Sequence, residues 1–280
     1  LPDLQGAPVQ ANKLTARQGW GWLGMAFTIF VKNPPLLTLI ILAYWLIIAL
    51  VNSVPLLGPI VATVAIPAFS VSLMNASRNL DTGRLLEIQV LFSGFRTQLK
   101  PLITLGGLYL GASVIVLGAS ALADGGIFLQ TMVGNYRPTP EEIGSGAFLA
   151  AAQIALILMT PVIMAWWYAP VLVAWHGFPP GKALFFSFVA CLRNWRPFLA
   201  YAACVMIFGG VLPGLLLGIL VTVLPEAANL ATTLFMLPMV FVLAPTLIVS
   251  FYVSYREVFT TSEYTDTPDD VSGDTPAEDA

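Results

Sequence analysis

Charge is what this sequence has least of. Only 10% of its 280 residues are Asp, Glu, Lys or Arg, against about 25% in a soluble globular domain. A chain that is 58% hydrophobic and so sparsely charged cannot cover a water-facing surface, and it falls in the class of multi-span membrane proteins. Histidine is nearly missing. His176 stands alone beside Trp175 and Gly177 at the end of an apolar run; a metal or haem site needs more ligands, so it reads as a structural residue. Cys191 and Cys204 lie more than three turns apart at about 3.6 residues per turn, which removes a CxxC redox pair and a zinc site and leaves two packed thiols.

Ionisable residues are also missing from the apolar runs. Proton relays, ion-coupled carriers and voltage sensors place Asp, Glu, Lys, Arg or His at membrane depth, and none stands inside these runs. That weighs against a pump or a proton-coupled carrier. No nucleophile, base or metal cluster converges, so the expectation is a protein that is not an enzyme and carries no cofactor, no metal and no nucleic-acid partner. Gly177-Phe178-Pro179-Pro180-Gly181-Lys182-Ala183 superficially resembles a phosphate loop, but the spacing is wrong and two prolines remove amide donors; it is a turn.

The apolar runs themselves fall at residues 36–54, 56–76, 102–123, 147–173, 198–224 and 231–254. Each is near the roughly 20 residues a helix needs to cross a bilayer core, so six transmembrane helices are expected. Asn52, Ser53, Pro55, Gly58 and Pro59 leave the first two only a tight turn, and a re-entrant pair is the other reading of that hairpin. Of the 12 Lys and Arg, only Arg137 falls on the far side, which predicts a multi-pass protein of the bacterial inner membrane with both termini cytoplasmic. The run from residue 36 reads as a signal anchor, with no cleavable signal peptide before it. The chain begins with Leu, so its start lies upstream or has been trimmed.

Three segments share one pattern. Trp20, Leu23, Phe27 and Phe30 precede Pro34; Ile88, Leu91, Phe92, Phe95 and Leu99 precede Pro101; Leu184, Phe185, Phe188, Leu192 and Trp195 precede Pro197. Each reads as an amphipathic helix of about 12 to 16 residues lying in the membrane interface, too short to cross it. A proline then opens the next span, where a missing N–H costs nothing. The even spans carry Pro67, Pro170 and Pro245, each followed by a basic end at Arg78, Lys182 and Arg256. The expected fold is an all-α integral membrane protein: six transmembrane helices, three interfacial helices and a triplicated helical-hairpin repeat with units about 17–83, 84–181 and 182–259. A cytoplasmic segment, 1–16, precedes this domain. An acidic tail, 260–280, follows it, with Glu263, Asp266, Asp269, Asp270, Asp274, Glu278 and Asp279 and no Lys or Arg, a composition that reads as disordered.

Arg193-Asn194-Trp195-Arg196-Pro197-Phe198, Gly19-Trp20-Gly21-Trp22 and Ala121-Leu122-Ala123-Asp124-Gly125-Gly126, on a six-span layout, resemble a family of uncharacterised proteobacterial inner-membrane proteins. The resemblance covers about residues 16 to 259 and implies a topology; it brings no activity and no catalytic residues.

Lipid or partner contacts are expected at the basic and aromatic feet: Lys32, Arg96, Lys100, Arg193, Trp195 and Arg196, each basic residue worth roughly 1 kcal/mol near an anionic leaflet. Plain anchoring of the helices is the other reading. Asn33 and Asn194 are expected to cap the spans that follow them. Gly107 and Gly111, and Gly210, Gly214 and Gly218, form small-residue faces, read first as packing of spans three and five within one chain and second as a homodimer seam. Two functions remain: a non-enzymatic protein organising membrane lipid, including anionic phospholipid, or a protein partner as an accessory subunit; and a channel or facilitator for an uncharged or lipid-like solute.

Two measurements check these expectations. In a background without Cys191 and Cys204, a cysteine at Thr139 is labelled from outside intact cells, and one at residue 270 is not. Truncation after Phe259 leaves the apparent melting midpoint in detergent unchanged; a fall of several degrees would show a docked tail.

Overall fold

The computed structural model of the chain describes residues 11–134, 136–223 and 228–259. The first ten residues, Asn135, residues 224–227 and the tail after Phe259 lie outside them. Every regular element among the described residues is helical: α1 (Ala16–Phe30), α2 (Pro34–Asn52), α3 (Leu57–Asp81), a 3-10 helix (Ile88–Phe95), α4 (Leu99–Asp124), α5 (Ile127–Val133), α6 (Pro140–Ile143), α7 (Gly146–Trp167), α8 (Ala169–His176), α9 (Pro180–Arg193), α10 (Trp195–Met206), a π-helical segment (Ile207–Val211), α11 (Leu212–Val223), α12 (Ala228–Pro238), a second π-helical segment (Met239–Leu243) and α13 (Ala244–Phe259). Among the described residues six runs are long and apolar enough to cross a membrane: α2, α3, α4, Gly146–His176, Trp195–Val223 and Thr232–Phe259. The first two are therefore both of crossing length, joined by a tight turn in which Leu56 takes a positive φ of 65° and the Leu57 N–H donates to the Pro55 carbonyl at 2.7 Å.

Sequence explains where these helices start. Asn33 accepts a hydrogen bond from the Leu36 N–H at 3.4 Å and caps α2, as expected, with Pro34 in the first turn. Pro101 and Pro197 likewise sit in the first turns of α4 and α10. The segment before Pro101 departs from the expected α-helix of the other two: it is a 3-10 helix of 8 residues. Gly94 is the reason. It lies so close to α3 that a Cβ would run into the Ala68 carbonyl, and its N–H donates to the Ser72 hydroxyl at 2.9 Å. Gln98, at φ 52°, then turns the chain into α4.

Prolines inside the spans remove donors, and side chains replace them. Pro245 has no N–H for the carbonyl of Phe241, and the buried Thr38 hydroxyl of α2 donates to that oxygen at 3.2 Å. At Tyr168, just before Pro170, the Ser187 hydroxyl of α9 inserts into the ladder: it accepts from the Tyr168 N–H at 2.9 Å and donates to the Met164 carbonyl at 2.8 Å. Each π-helical segment ends just before a proline, Pro213 or Pro245, where a widened turn gives the ring room.

The dense core lies toward the end of the bundle where the basic residues gather. Trp22, Leu37, Ile40, Met74, Leu91, Tyr168, Leu172 and Val253 are all buried there, while Ile115, Leu122, Ile157 and Val223 toward the other end are exposed, an apolar surface suited to lipid. The three short elements roof the core. The 3-10 helix rests on α3, α9 on α7 and α8, and α1 on α10 and α13, so the first short helix closes onto the last span.

Close approach in span three is made by Gly106, whose Cβ would run into the Val64 carbonyl, and not by its neighbour. Gly107, Gly111, Gly210, Gly214 and Gly218 are exposed with no atom within 4 Å of the place a Cβ would take, which corrects the expectation that they pack spans within one chain. One residue turns a helix by 100°, so the tight face and the open face differ by a single position. Gly106→Ala is therefore expected to destabilise by about 1–3 kcal/mol, seen as a lower apparent melting midpoint in detergent. Gly107→Ala is expected to leave it level or raise it slightly, since alanine restricts the unfolded chain.

Candidate functional site at the basic end

The stretch 193–197 divides by direction. Asn194 ends α9 with its side chain wholly buried. Its Nδ2 donates to the Asn12 carbonyl at 2.8 Å and the Ala190 carbonyl at 3.0 Å, and its Oδ1 accepts from the Leu14 N–H at 2.8 Å. It does not cap the following span, as expected of it; it pins the segment leading into α1. Asn12 carries the tie onward, its N–H donating to the Val258 carbonyl of α13 at 2.8 Å. Pro197 is buried under Gly19, where any side chain on the glycine would meet the proline carbonyl. Arg193, Trp195 and Arg196 point the other way and are exposed, Trp195 by 52%. The Arg196 guanidinium lies 5.4 Å from the Trp195 ring centroid, in cation–π range.

The remaining basic candidates do not join them in one site. Lys32 is engaged: its Nζ donates to the Leu80 and Asp81 carbonyls at 3.2 and 3.0 Å, closing the C-terminal end of α3, where a cation also meets the negative end of the helix dipole. Arg96 and Lys100 are exposed on either side of the turn into α4. The three feet are three separate stations around the basic end.

Between them lies a polar and aromatic knot that reading the spans one at a time misses. Asp81 accepts from Arg256 at 2.6 Å and from the Tyr252 hydroxyl at 2.9 Å. Trp175 donates to Asn75 Oδ1 at 2.9 Å beneath the Arg78 guanidinium, 4.9 Å away, and Asn75 donates to Ser93 at 2.8 Å. His176 Nε2 and the Tyr255 hydroxyl are 2.7 Å apart. Trp22 donates to Glu257 at 2.8 Å. The even spans thus converge through side chains three or four positions apart on α3 and α13, a spacing legible as one face of each helix but not as a meeting of three. The knot is nearly self-satisfied. Chemically it locks the span ends together.

Behind the knot, cavities of ≈ 360 and ≈ 470 Å³ flank the α3 and α13 pair and share Ile66, Ser70, Leu247 and Phe251 in their walls. The rings of Tyr168, Tyr255 and Phe259 pack against one another between these cavities and the basic end. Cys191 and Cys204 are free and buried, and burial pushes the Cys191 thiol up to about 12, leaving it protonated and unreactive. Among the described residues no three His, Cys, Asp or Glu come together.

No family model matches the chain, and no solved structure does. A probable inner membrane protein of Burkholderia thailandensis is 34% identical over 261 residues, a match that covers 91% of this chain and 96% of the relative. The chain, with six runs among its described residues long and apolar enough to cross a membrane, belongs to the family of that probable inner membrane protein.

Proposed function

We propose that this is a non-enzymatic inner-membrane protein that gathers anionic lipid, or the acidic surface of a partner protein, at a cytoplasmic basic face. The observation that carries the reading is the division of the stretch 193–197. Its asparagine and proline are consumed by the fold, while two arginines and a tryptophan are held outward with no acidic side chain against them among the described residues. A planar guanidinium fork beside an indole is suited to a phosphate or carboxylate and to the headgroup level of a bilayer. In this reading the basic end faces the cytoplasm, the short helices lie in the interface, and the cyclic packing of α1, the 3-10 helix and α9 on even spans expresses a threefold repeat. A role as accessory subunit of a larger complex fits the same face.

A second reading, a facilitator for an uncharged or lipid-like solute, draws support from the two apolar cavities. The aromatic layer between them and the basic end favours the first.

Replacing Arg193 and Arg196 together by lysine keeps the charge but removes the bidentate fork. The double variant is expected to insert normally and to co-purify with several-fold less anionic lipid or partner than wild type at equal expression, measured by native mass spectrometry. Equal retention would reduce the stretch to a membrane anchor.

A further inference from the structure

A further apolar concavity opens away from the knot. It is a groove of ≈ 600 Å³ between α1 and the two π-helical segments. Its walls are built, not accidental. The π-helical segments meet where Gly209 faces a Leu243 methyl, only 3.3 Å from the position of a Cβ, and Phe208, Met239 and Val242 stand beside that contact. The third wall is α1, and there the sequence supplies glycine: Gly21 and Gly24 line the groove, and nothing lies within 4 Å of a Cβ on Gly24. Trp20 and Phe27, 45% and 46% exposed, flank the glycines as ridges. Cys204 and Thr246, both buried, make the floor. Along span six the lining runs from Pro238 to Thr246, about 12 Å at 1.5 Å per residue, a slot with the proportions of a straight hydrocarbon chain.

Charge marks which end of the slot is the mouth. Arg17 lies one turn before Trp20 and Gly21 on the same face of α1, since positions 17, 20, 21 and 24 align at helical spacing. Arg17 and Lys13 are exposed, and neither meets an acidic side chain among the described residues. Glu257, the acid that α1 does engage, is bound by Trp22 on the opposite, buried face. An apolar slot with a cationic mouth is complementary to an anionic amphiphile, and in a membrane that amphiphile is a phospholipid of the adjoining leaflet. We infer that the groove between α1 and the π-helical segments holds one acyl chain of an anionic phospholipid whose headgroup is met by Arg17. The site shares its ligand class with the function proposed above but none of its residues.

The test uses the full chain reconstituted in vesicles of phosphatidylethanolamine and phosphatidylglycerol, re-extracted in mild detergent, with retained lipid counted by native mass spectrometry. Gly24→Phe puts a ring into the slot from a position where a Cβ meets nothing within 4 Å, and Gly107→Phe adds the same ring on another exposed face where a Cβ is equally free. Wild type and Gly107→Phe are expected to retain phosphatidylglycerol, Gly24→Phe several-fold less at an unchanged melting midpoint. Arg17→Gln is expected to lose the preference for phosphatidylglycerol over phosphatidylethanolamine. Undiminished retention in Gly24→Phe overturns the site, as does an undiminished preference in Arg17→Gln. Should Gly24→Phe lower the melting midpoint, Gly21→Leu, whose nearest neighbour is only the flexible end of Met25, decides in the same way. Loss in Arg193→Lys/Arg196→Lys with none in Gly24→Phe would reject the groove and keep the headgroup station at 193–196; the reverse would reject that station and keep the groove.

Discussion

A proline inside a membrane span leaves a carbonyl without its donor, and there is no water in the hydrocarbon to supply one. Much of this structure follows from how those carbonyls and kinks are met. The Thr38 hydroxyl reaches from span one to the Phe241 carbonyl of span six. The Ser187 hydroxyl reaches from α9 into the break at Tyr168 in span four. Each repair is also a tie between elements distant in sequence, so the interruptions that weaken single helices join the bundle together. The cost of leaving such a group unmatched, about 1–3 kcal/mol, is incentive enough for the packing seen.

The same logic sets the basic end. Span ends converge there with carbonyls and polar side chains that need partners, and Asp81, Arg256, Tyr252, Trp175 and His176 meet them mutually. Lys32 closes α3 and Asn194 pins the entry to α1. Left over among the described residues are groups turned outward, Lys13, Arg17, Arg84, Arg96, Lys100, Arg193, Trp195 and Arg196 among them. The functional reading rests on that remainder, because a side chain spent on holding the fold has no hydrogen bonds to offer a ligand.

Much of this was legible in the sequence. Six apolar runs gave six spans, the Asn33 cap was read from its place before Pro34, and the prolines opening the spans sit in first turns. What was not legible depended on three-dimensional neighbours. The role of Asn194 is set by Asn12 and Leu14, far away in sequence. Gly106 and Gly107 have the same chemistry, and only the position of Val64 tells them apart. The stripe before Pro101 reads as an α-helix until Gly94 is seen pressed on Ala68. The knot escaped notice because each of the three even spans contributes only two to four polar residues to it.

The central claim is that the groups left over by the fold bind anionic lipid in the native state. A ligand that binds the folded protein alone raises its stability in proportion to the logarithm of its free concentration above Kd. The most direct measurement is the melting midpoint of the purified wild-type chain in neutral detergent, titrated separately with phosphatidylglycerol and phosphatidylcholine. The account predicts a rise with phosphatidylglycerol that begins at low molar ratio and is absent with phosphatidylcholine. Equal shifts with both lipids, or none with either, would contradict it.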